Sequence, residues 1–353
     1  MPQSLRVCLI GSGGIARRHC QAYREVAGQF PTELSFCDVD PARAEQVKAE
    51  FGGVATYGSI EEACAAPDVD LLDVCLPHDL HVPAMERAAP SGKHILLEKP
   101  MARDVAECDR IVGLVEAMTA KFMVAECWRF YPHVVRAVEA IASGEIGRVF
   151  LIETASMGRF VPPGWRRSLR ANGGGALMDR GVHFVDMLVS LGGPVRTVFS
   201  VQNDVSIGEM EGDDTSVTTV RYESGAMGQQ VISWGLTKGF NRPCFCVHGT
   251  EGSLIDGDEL TLFRRDETPR ALSPFMGEGW PDYYMIRETI RHFLDCVVND
   301  RAPAFTPAMA RADVEIVTAA YASGREGRAV DLPYDGPGAA RMAPSEAEET
   351  QRR

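Results

Sequence analysis

The feature that most limits what this chain can fold into is Gly11-Ser12-Gly13-Gly14-Ile15-Ala16. It follows the apolar run Leu5 to Ile10 and opens the helical pattern carrying Arg17 to Val26. The spacing is G-x-G-x-x-G/A, in which glycines let the backbone turn tightly and approach a ligand, and the helix behind them presents its amides to an anion. Among 34 glycines such a spacing also arises by chance, so its weight comes from the strand-turn-helix context. In that context Gly11, Gly13, Gly14, Ile15 and Ala16 are expected to hold the pyrophosphate of a dinucleotide.

The rest of the first 127 residues agrees with this reading. Short apolar runs at Leu5 to Ile10, Glu33 to Cys37, Leu71 to Leu76, His94 to Leu97 and Phe122 to Cys127 alternate with helical stretches. That order implies βαβ units around a parallel sheet, and near-continuous apolar runs fit strands buried on both faces. The expected fold class is therefore α/β, with a doubly wound Rossmann domain over residues 1–127. From about Arg148 the texture changes to alternating strands, among them Ser216 to Tyr222 and Ala226 to Ile232 joined through Glu223-Ser224-Gly225. That is a hairpin signature. Helical patterns at His133 to Ala142, Gly181 to Ser190, Tyr283 to Val298 and Ala308 to Ser323 cover only one face of the resulting sheet. Residues 128–334 are thus expected to form an α+β domain with a large, mostly antiparallel open sheet. Residues 335–353, rich in Gly, Pro, Ala and Glu, are expected to form a flexible tail. A length of 353 residues suits two domains.

Three further blocks carry chemistry. Asp38 closes the second strand at the distance where an acidic residue binds the adenosine ribose hydroxyls, and its charge opposes a 2′-phosphate. NAD is therefore favoured over NADP. Glu98-Lys99-Pro100 closes the strand before the last of the domain, which puts Lys99 at the carboxyl edge where open α/β sheets bind ligands. The Lys99–Pro100 bond is a candidate for the cis form. A third block runs from the flexible glycines Gly173-Gly174-Gly175 into a helix with Asp179 and His183 four residues apart, hence on one face. With Asp186 added the set still lacks the ligands of a metal site, so no metal is expected.

The net charge of −13 and pI near 5.2 disfavour nucleic acid and anionic membrane surfaces. No apolar stretch reaches the roughly 20 residues of a membrane helix, and the start of the chain reads as a strand, so a cytoplasmic protein is expected. Ten scattered cysteines, without CxxC or zinc-ribbon spacing, point to reduced thiols.

Taken together, these blocks resemble the glucose-fructose oxidoreductase, inositol dehydrogenase and rhizopine-catabolism (Gfo/Idh/MocA) family over about residues 5 to 333. Leu76-Pro77 with His81, Gly92-Lys93-His94, Arg129-Phe130-Tyr131-Pro132, Gly144-Glu145-Ile146-Gly147 and Trp165-Arg166 add to the likeness. The resemblance implies an NAD-dependent enzyme moving hydride between nicotinamide and a secondary alcohol of a sugar, polyol or inositol-like substrate. It places Leu76, Pro77, His81 and Glu98 at the cofactor, with Pro77 and Glu98 against its nicotinamide half. Lys99, Asp179 and His183 would form the catalytic trio, with either Lys99 or His183 as proton acceptor. Arg129, Trp165, Arg166 and Asn172 are candidates for substrate contact, since an aromatic face and planar donors suit a polyhydroxylated ring. His78 and Cys127 depart from the family's usual residues, which leaves the substrate open. The alternatives are a glycosidase or epimerase using NAD without net redox, and an inactive dinucleotide-binding protein. A homodimer or homotetramer, formed through the open sheet face, is expected.

Overall fold

The computed structural model of the chain describes residues 4–239, 242–273 and 282–339. These residues divide into two compact units that are not contiguous in sequence. The first takes the described residues of Met1–Met101, Asp109–Ala137 and Leu272–Arg311, and the second those of Ala102–Cys108, Val138–Ala271 and Ala312–Arg353.

The first unit is built on six parallel strands. They are β1 (Leu5–Ile10), β2 (Thr32–Cys37), β3 (Ala55–Tyr57), β4 (Leu71–Val74), β5 (His94–Glu98) and β6 (Phe122–Ala125), in the order β3-β2-β1-β4-β5-β6. Val7 to Ile10, Leu71 to Val74 and Ile95 to Glu98 are buried throughout, as strands covered on both faces must be. Helices α1 (Gly14–Val26), α2 (Pro41–Phe51), α3 (Ile60–Ala65) and α4 (His81–Ala88) connect them. Asp40 caps α2 by accepting the Ala42 N–H at 3.0 Å, with Pro41 at the first helical position. Helices α5 (Val105–Glu116) and α6 (Pro132–Ala142) follow.

The observed division departs from a single boundary at residue 127: residues 102–108 fall in the second unit, while residues 128–137 and the described residues of 272–311 fall in the first. Helix α9 (Asp282–Val298), far along the chain, packs on α1 in the first unit, burying Met285, Ile286, Ile290, Phe293 and Leu294. Its amphipathic period is plain in sequence, but nothing local says which surface its apolar stripe meets.

The second unit holds a nine-stranded sheet: β7 (Val149–Met157), β8 (Val195–Asn203), β9 (Thr215–Tyr222), β10 (Met227–Ser233), β11 (Phe245–Gly249), β12 (Gly252–Ile255), β13 (Thr261–Arg264), β14 (Arg270–Ala271) and β15 (Val330–Asp331). Its order is β14-β13-β12-β11-β7-β10-β9-β8-β15, antiparallel except for β10 beside β7. Burial alternates along β9, with Ser216, Thr218, Val220 and Tyr222 inward. One face is therefore packed. Helix α7 (Leu169–Asn172) is a single turn, and α8 (Val182–Gly192) lies on β7 and β10, where the buried Tyr222 hydroxyl donates to the Leu188 carbonyl at 3.1 Å. Helix α10 (Pro307–Glu326) closes the list. Of the tail, only residues 335–339 lie within the described part.

Candidate active site

In the first sheet the strand order reverses at β1, which lies between β2 and β4. Such a switch point opens a crevice at the carboxyl ends of the strands. Gly11 stands there with φ +96°, and a Cβ on it would lie 2.5 Å from the Cys75 carbonyl oxygen. Only glycine permits that approach of β1 to β4. Gly13 and Gly14 are the opposite case: both are exposed, and an added Cβ would meet nothing within 4 Å. No side chain caps the N-terminus of α1, and no acidic residue sits in its first turn. An anion is left as the natural partner of its amides. Asp38, just past β2, accepts the Ser12 N–H with Oδ2 and the Asp40 N–H with Oδ1, both at 2.9 Å. Arg17 is ion-paired with Glu50, and Arg43 with Asp40 at 3.4 Å. The two cations closest in sequence to a 2′-phosphate are thus each matched to a carboxylate.

Leu76 and Pro77 follow β4, half-buried on the same edge. The buried His81 ring bridges two loops, with Nδ1 2.9 Å from the Pro100 carbonyl and Nε2 3.0 Å from the Leu76 carbonyl. Burial pushes this imidazole below its ordinary value, partly offset by those carbonyls. Both ring nitrogens thus face backbone carbonyls, and the ring ties the loop after β4 to the loop after β5. Glu98 is buried and accepts the Lys99 N–H at 3.1 Å. Lys99 itself is half-buried, and the Lys99–Pro100 bond is cis. Arg129 lies over the Phe305 ring, 4.7 Å from its centroid. Sequence reasoning passed over Glu126. It is buried, accepts the Trp128 N–H at 3.0 Å, and is pushed up to about 7 by burial, against the pull of that N–H and of Lys99 and Arg129. Between two residues read as core, a lone Glu gave no periodic signal.

In the second unit the triple glycine proves to be packed, not flexible. Gly173, Gly174 and Gly175 are all buried, and a Cβ on Gly175 would lie 2.0 Å from the Asp213 carbonyl oxygen. The Tyr321 hydroxyl accepts the N–H groups of Gly175 and Met178 at 3.0 and 3.2 Å and donates to Asp213 Oδ1 at 2.6 Å. Asp213 accepts the Leu177 N–H at 2.9 Å through Oδ2. Asn172 is buried, and its amide nitrogen donates to the carbonyls of Arg166, Gly174 and Gly175 at 3.2 to 3.3 Å. It staples the loop.

This scaffold holds a π-helical turn, Leu177–Gly181, that runs into α8 and carries Asp179. The four-residue step from Asp179 to His183 therefore passes through a wider winding than the α-helix expected, of a kind often found at functional sites. The Gly181 carbonyl is satisfied by Gln230 Nε2 at 2.7 Å. Asp179 and His183 are both buried. Asp179 Oδ2 accepts from Arg166 Nε at 3.0 Å, and the Arg166 guanidinium lies 4.5 Å from the Trp165 ring centroid. Trp165, Arg166, Asn172, Asp179 and His183 thus share the second unit, and the other expected site residues the first.

Two family descriptions match the chain: "Oxidoreductase family, NAD-binding Rossmann fold" over residues 5–126, and "GFO/IDH/MocA C-terminal domain" over residues 134–255. Inositol 2-dehydrogenase of Rhizobium meliloti is 30% identical over 81% of this chain and 84% of its own length. The chain belongs to the Gfo/Idh/MocA family. Levoglucosan dehydrogenase of Pseudarthrobacter phenanthrenivorans is 28% identical over 75% of each chain. A solved structure of a levoglucosan dehydrogenase in complex with NADH superposes with a TM-score of 0.87 at 25% identity, covering 94% of this chain and all of that one.

As a member of the Gfo/Idh/MocA family the protein is an NAD-dependent oxidoreductase, and its first unit has the cradle that NAD needs. The uncapped α1, the open surface at Gly13 and Gly14 and the anchored Asp38 carboxylate fit a pyrophosphate and an unphosphorylated ribose. All ten cysteines are reduced thiols. Among the described residues no helix is long and apolar enough to cross a membrane.

Proposed function

We propose that the enzyme transfers hydride between NAD and a secondary hydroxyl of a sugar, polyol or inositol-like ring, with Lys99 and His183 acting on the reacting oxygen. The observation that carries this reading is the placement of Lys99. Its half-buried side chain stands at the carboxyl end of β5, on the sheet edge that holds the nucleotide cradle, with its backbone amide fixed by Glu98. Bound NAD supplies the hydride acceptor. The ammonium of Lys99 stabilises the oxygen as it gains negative charge, an effect for which a fixed charge in a desolvated site is well suited. His183, of a residue type with ordinary pKa about 6.5, takes the hydroxyl proton as general base. Asp179 holds Arg166 by its 3.0 Å ion pair, and the Trp165 face and Arg166 fork offer stacking and planar donors to a ring with several hydroxyls. Arg129 is a second planar donor, while Asn172 contributes through the shape of the loop it staples. The names of the relatives, an inositol dehydrogenase and a levoglucosan dehydrogenase, support a polyhydroxylated ring.

The test is a screen of inositols, aldoses, sugar acids and anhydrosugars with NAD, read as absorbance of the reduced cofactor. On the best substrate, Lys99→Ala and His183→Ala should each cut turnover about a hundred-fold or more and leave the NAD Kd within a few-fold. Near-wild-type rates in both variants would sink the mechanism. NAD-dependent product formation without reduced cofactor would replace it with a reaction lacking net redox.

Self-association through the open face of the second sheet belongs to the same reading. Phe199, Val201, Met227 and Phe263 are exposed on strands β8, β10 and β13 of that sheet. A second copy is the usual cover for such a face. Light scattering should report a dimer or tetramer at micromolar concentration; a monomer would contradict this. Ten reduced thiols favour a reducing compartment, and with it the cytoplasm.

A further inference from the structure

A closed cluster of buried polar groups in the first unit meets the reaction outlined above only through Glu98. His19, on α1, is 1% exposed; its Nδ1 lies 2.8 Å from Asp73 Oδ2 and its Nε2 3.0 Å from Glu98 Oε1. Tyr23, one turn along α1, donates its hydroxyl to the same Asp73 oxygen at 3.1 Å. The Cys75 thiol lies 3.6 Å from Asp73 Oδ1 and 3.7 Å from His19 Nδ1. The His19, Asp73 and Cys75 donors lie close enough to suggest a metal site. The imidazole nitrogens, however, are already at hydrogen-bond distance from carboxylate oxygens, which leaves no space for an ion between them.

Two carboxylates facing the two ring nitrogens call for two N–H donors, and only the imidazolium has both. Burial, the largest single influence, pushes His19 down, but Asp73 and Cys75 together more than offset it and the net direction is well upward. Without that positive charge the cluster would bury two like-charged carboxylates, a costly arrangement. With it the cluster carries one net negative charge. The other oxygen of Glu98, Oε2, accepts the Lys99 N–H at 3.1 Å. An unbroken line of contacts therefore runs from Asp73 through His19 and Glu98 to the backbone of Lys99.

We propose that His19 is a charged positioning residue: an imidazolium clamped between Asp73 and Glu98 that locks the Glu98 carboxylate and, through its bond to the Lys99 amide, fixes where the Lys99 ammonium stands. The inference rests on the catalytic reading of Lys99. His19 touches neither substrate nor cofactor; it acts through Glu98.

Two measurements test it. Nitrogen NMR of the wild-type enzyme with bound NAD and labelled histidine should show one imidazolium that persists from pH 6 to pH 9. If every histidine is neutral at pH 9, the inference is overturned. In kinetics, His19→Gln keeps a donor but loses the charge, and His19→Gln/Asp73→Asn restores the cluster's net charge of minus one. The single variant should lower kcat about tenfold or more with KM and NAD Kd within about threefold, and the double variant should recover at least threefold of that loss. Wild-type kcat in His19→Gln, or an equal loss of NAD affinity with no recovery in the double variant, overturns the positioning role. Lys99→Ala in the same assay separates the two readings. If it keeps wild-type kcat, the role given to Lys99 fails whatever the state of His19. If it is inactive while His19 proves neutral, only the present inference fails.

Discussion

The molecule has two glycine-rich segments, one in each unit, and they use the same residue for opposite ends. At Gly11-Ser12-Gly13-Gly14 the backbone is left open: Gly13 and Gly14 are exposed, an added Cβ would touch nothing, and no side chain caps the helix they open. At Gly173-Gly174-Gly175 the backbone is closed: the Gly173 N–H goes to the Leu169 carbonyl, the Gly175 and Met178 N–H groups go to Tyr321, the Leu177 N–H goes to Asp213, and Asp213 is pressed against Gly175. Backbone amides left open are available to an anionic ligand, whereas amides satisfied inside the protein hold the chain around them still. The difference teaches that a glycine run is defined by what approaches it, which composition does not reveal.

Alanine at one position of each segment should separate the two uses, and the effect in the closed loop is the largest expected. Gly175→Ala sets a Cβ 2.0 Å from the Asp213 carbonyl oxygen and 2.4 Å from its nitrogen, both backbone atoms. Overpacking of this kind costs about 3 kcal/mol, which corresponds to a Tm lower by roughly 6–12 °C. Turnover should fall with it, because Asp179 and His183 hang from the displaced turn. Gly14→Ala should leave Tm unchanged or slightly higher, since the position is already helical and unhindered, yet weaken NAD about tenfold by covering the open surface. Thermal melts and NAD titrations of the two variants check this. If Gly14→Ala lost stability and Gly175→Ala only lost cofactor, the comparison would be backwards.

How much of this was legible in the sequence follows from where the information lies. Strands β1, β2, β5 and β6 stand within two residues of their apolar runs, because a strand buried on both faces writes itself locally. Strands β3, β12, β14 and β15 were not foreseen. They are two to four residues long and exist because a longer neighbour offers them a ladder. Lys99 and Asp38 could be placed from the sequence because each directly follows a strand, a position that sequence marks. Glu126, Asp73 and His19 could not, since each reads as a polar interruption of an apolar pattern, and only the fold reveals its partners. Asn172 and His81 show the converse. Both were expected at ligands, and both have their polar nitrogens on backbone carbonyls.

The open loop also selects its ligand, through Asp38, which joins it by the bond from the Ser12 N–H. A 2′-phosphate would meet that carboxylate, and the cations nearest in sequence, Arg17 and Arg43, are paired with Glu50 and Asp40. NAD should therefore bind at least about tenfold more tightly than NADP, equivalent to about 1.4 kcal/mol. Asp38→Ser should narrow the ratio mainly by improving NADP. Equal or tighter NADP binding to the wild type, measured by titration, would mean that another cation reaches the loop and that its openness does not extend to selection by charge.

The closed loop should answer to pH where the open one does not. Asp213 is buried against Gly175, and burial pushes its carboxyl up to about 6, against the pull of the Tyr321 hydroxyl and the Leu177 N–H. Its value in the unfolded chain is about 3.9. A folded pKa above the unfolded one means that the native state holds the proton more tightly. The group's contribution to stability is then full below about pH 3.9 and is lost as pH rises through about 6. Asn does not titrate, so Asp213→Asn should gain on the wild type over that window. Between pH 5.5 and pH 7.5 the gain should be about 0.8 kcal/mol, the part of the window still to be crossed. Urea midpoints of both proteins at the two pH values measure it, and only the change in their difference matters. At any one pH the variant also has a single carbonyl where the wild type offers two oxygens to two donors. A difference that stayed constant, or moved in favour of the wild type as pH rose, would show that Asp213 is ionised throughout. The closed loop would then be held by a buried charge and not by a shared proton.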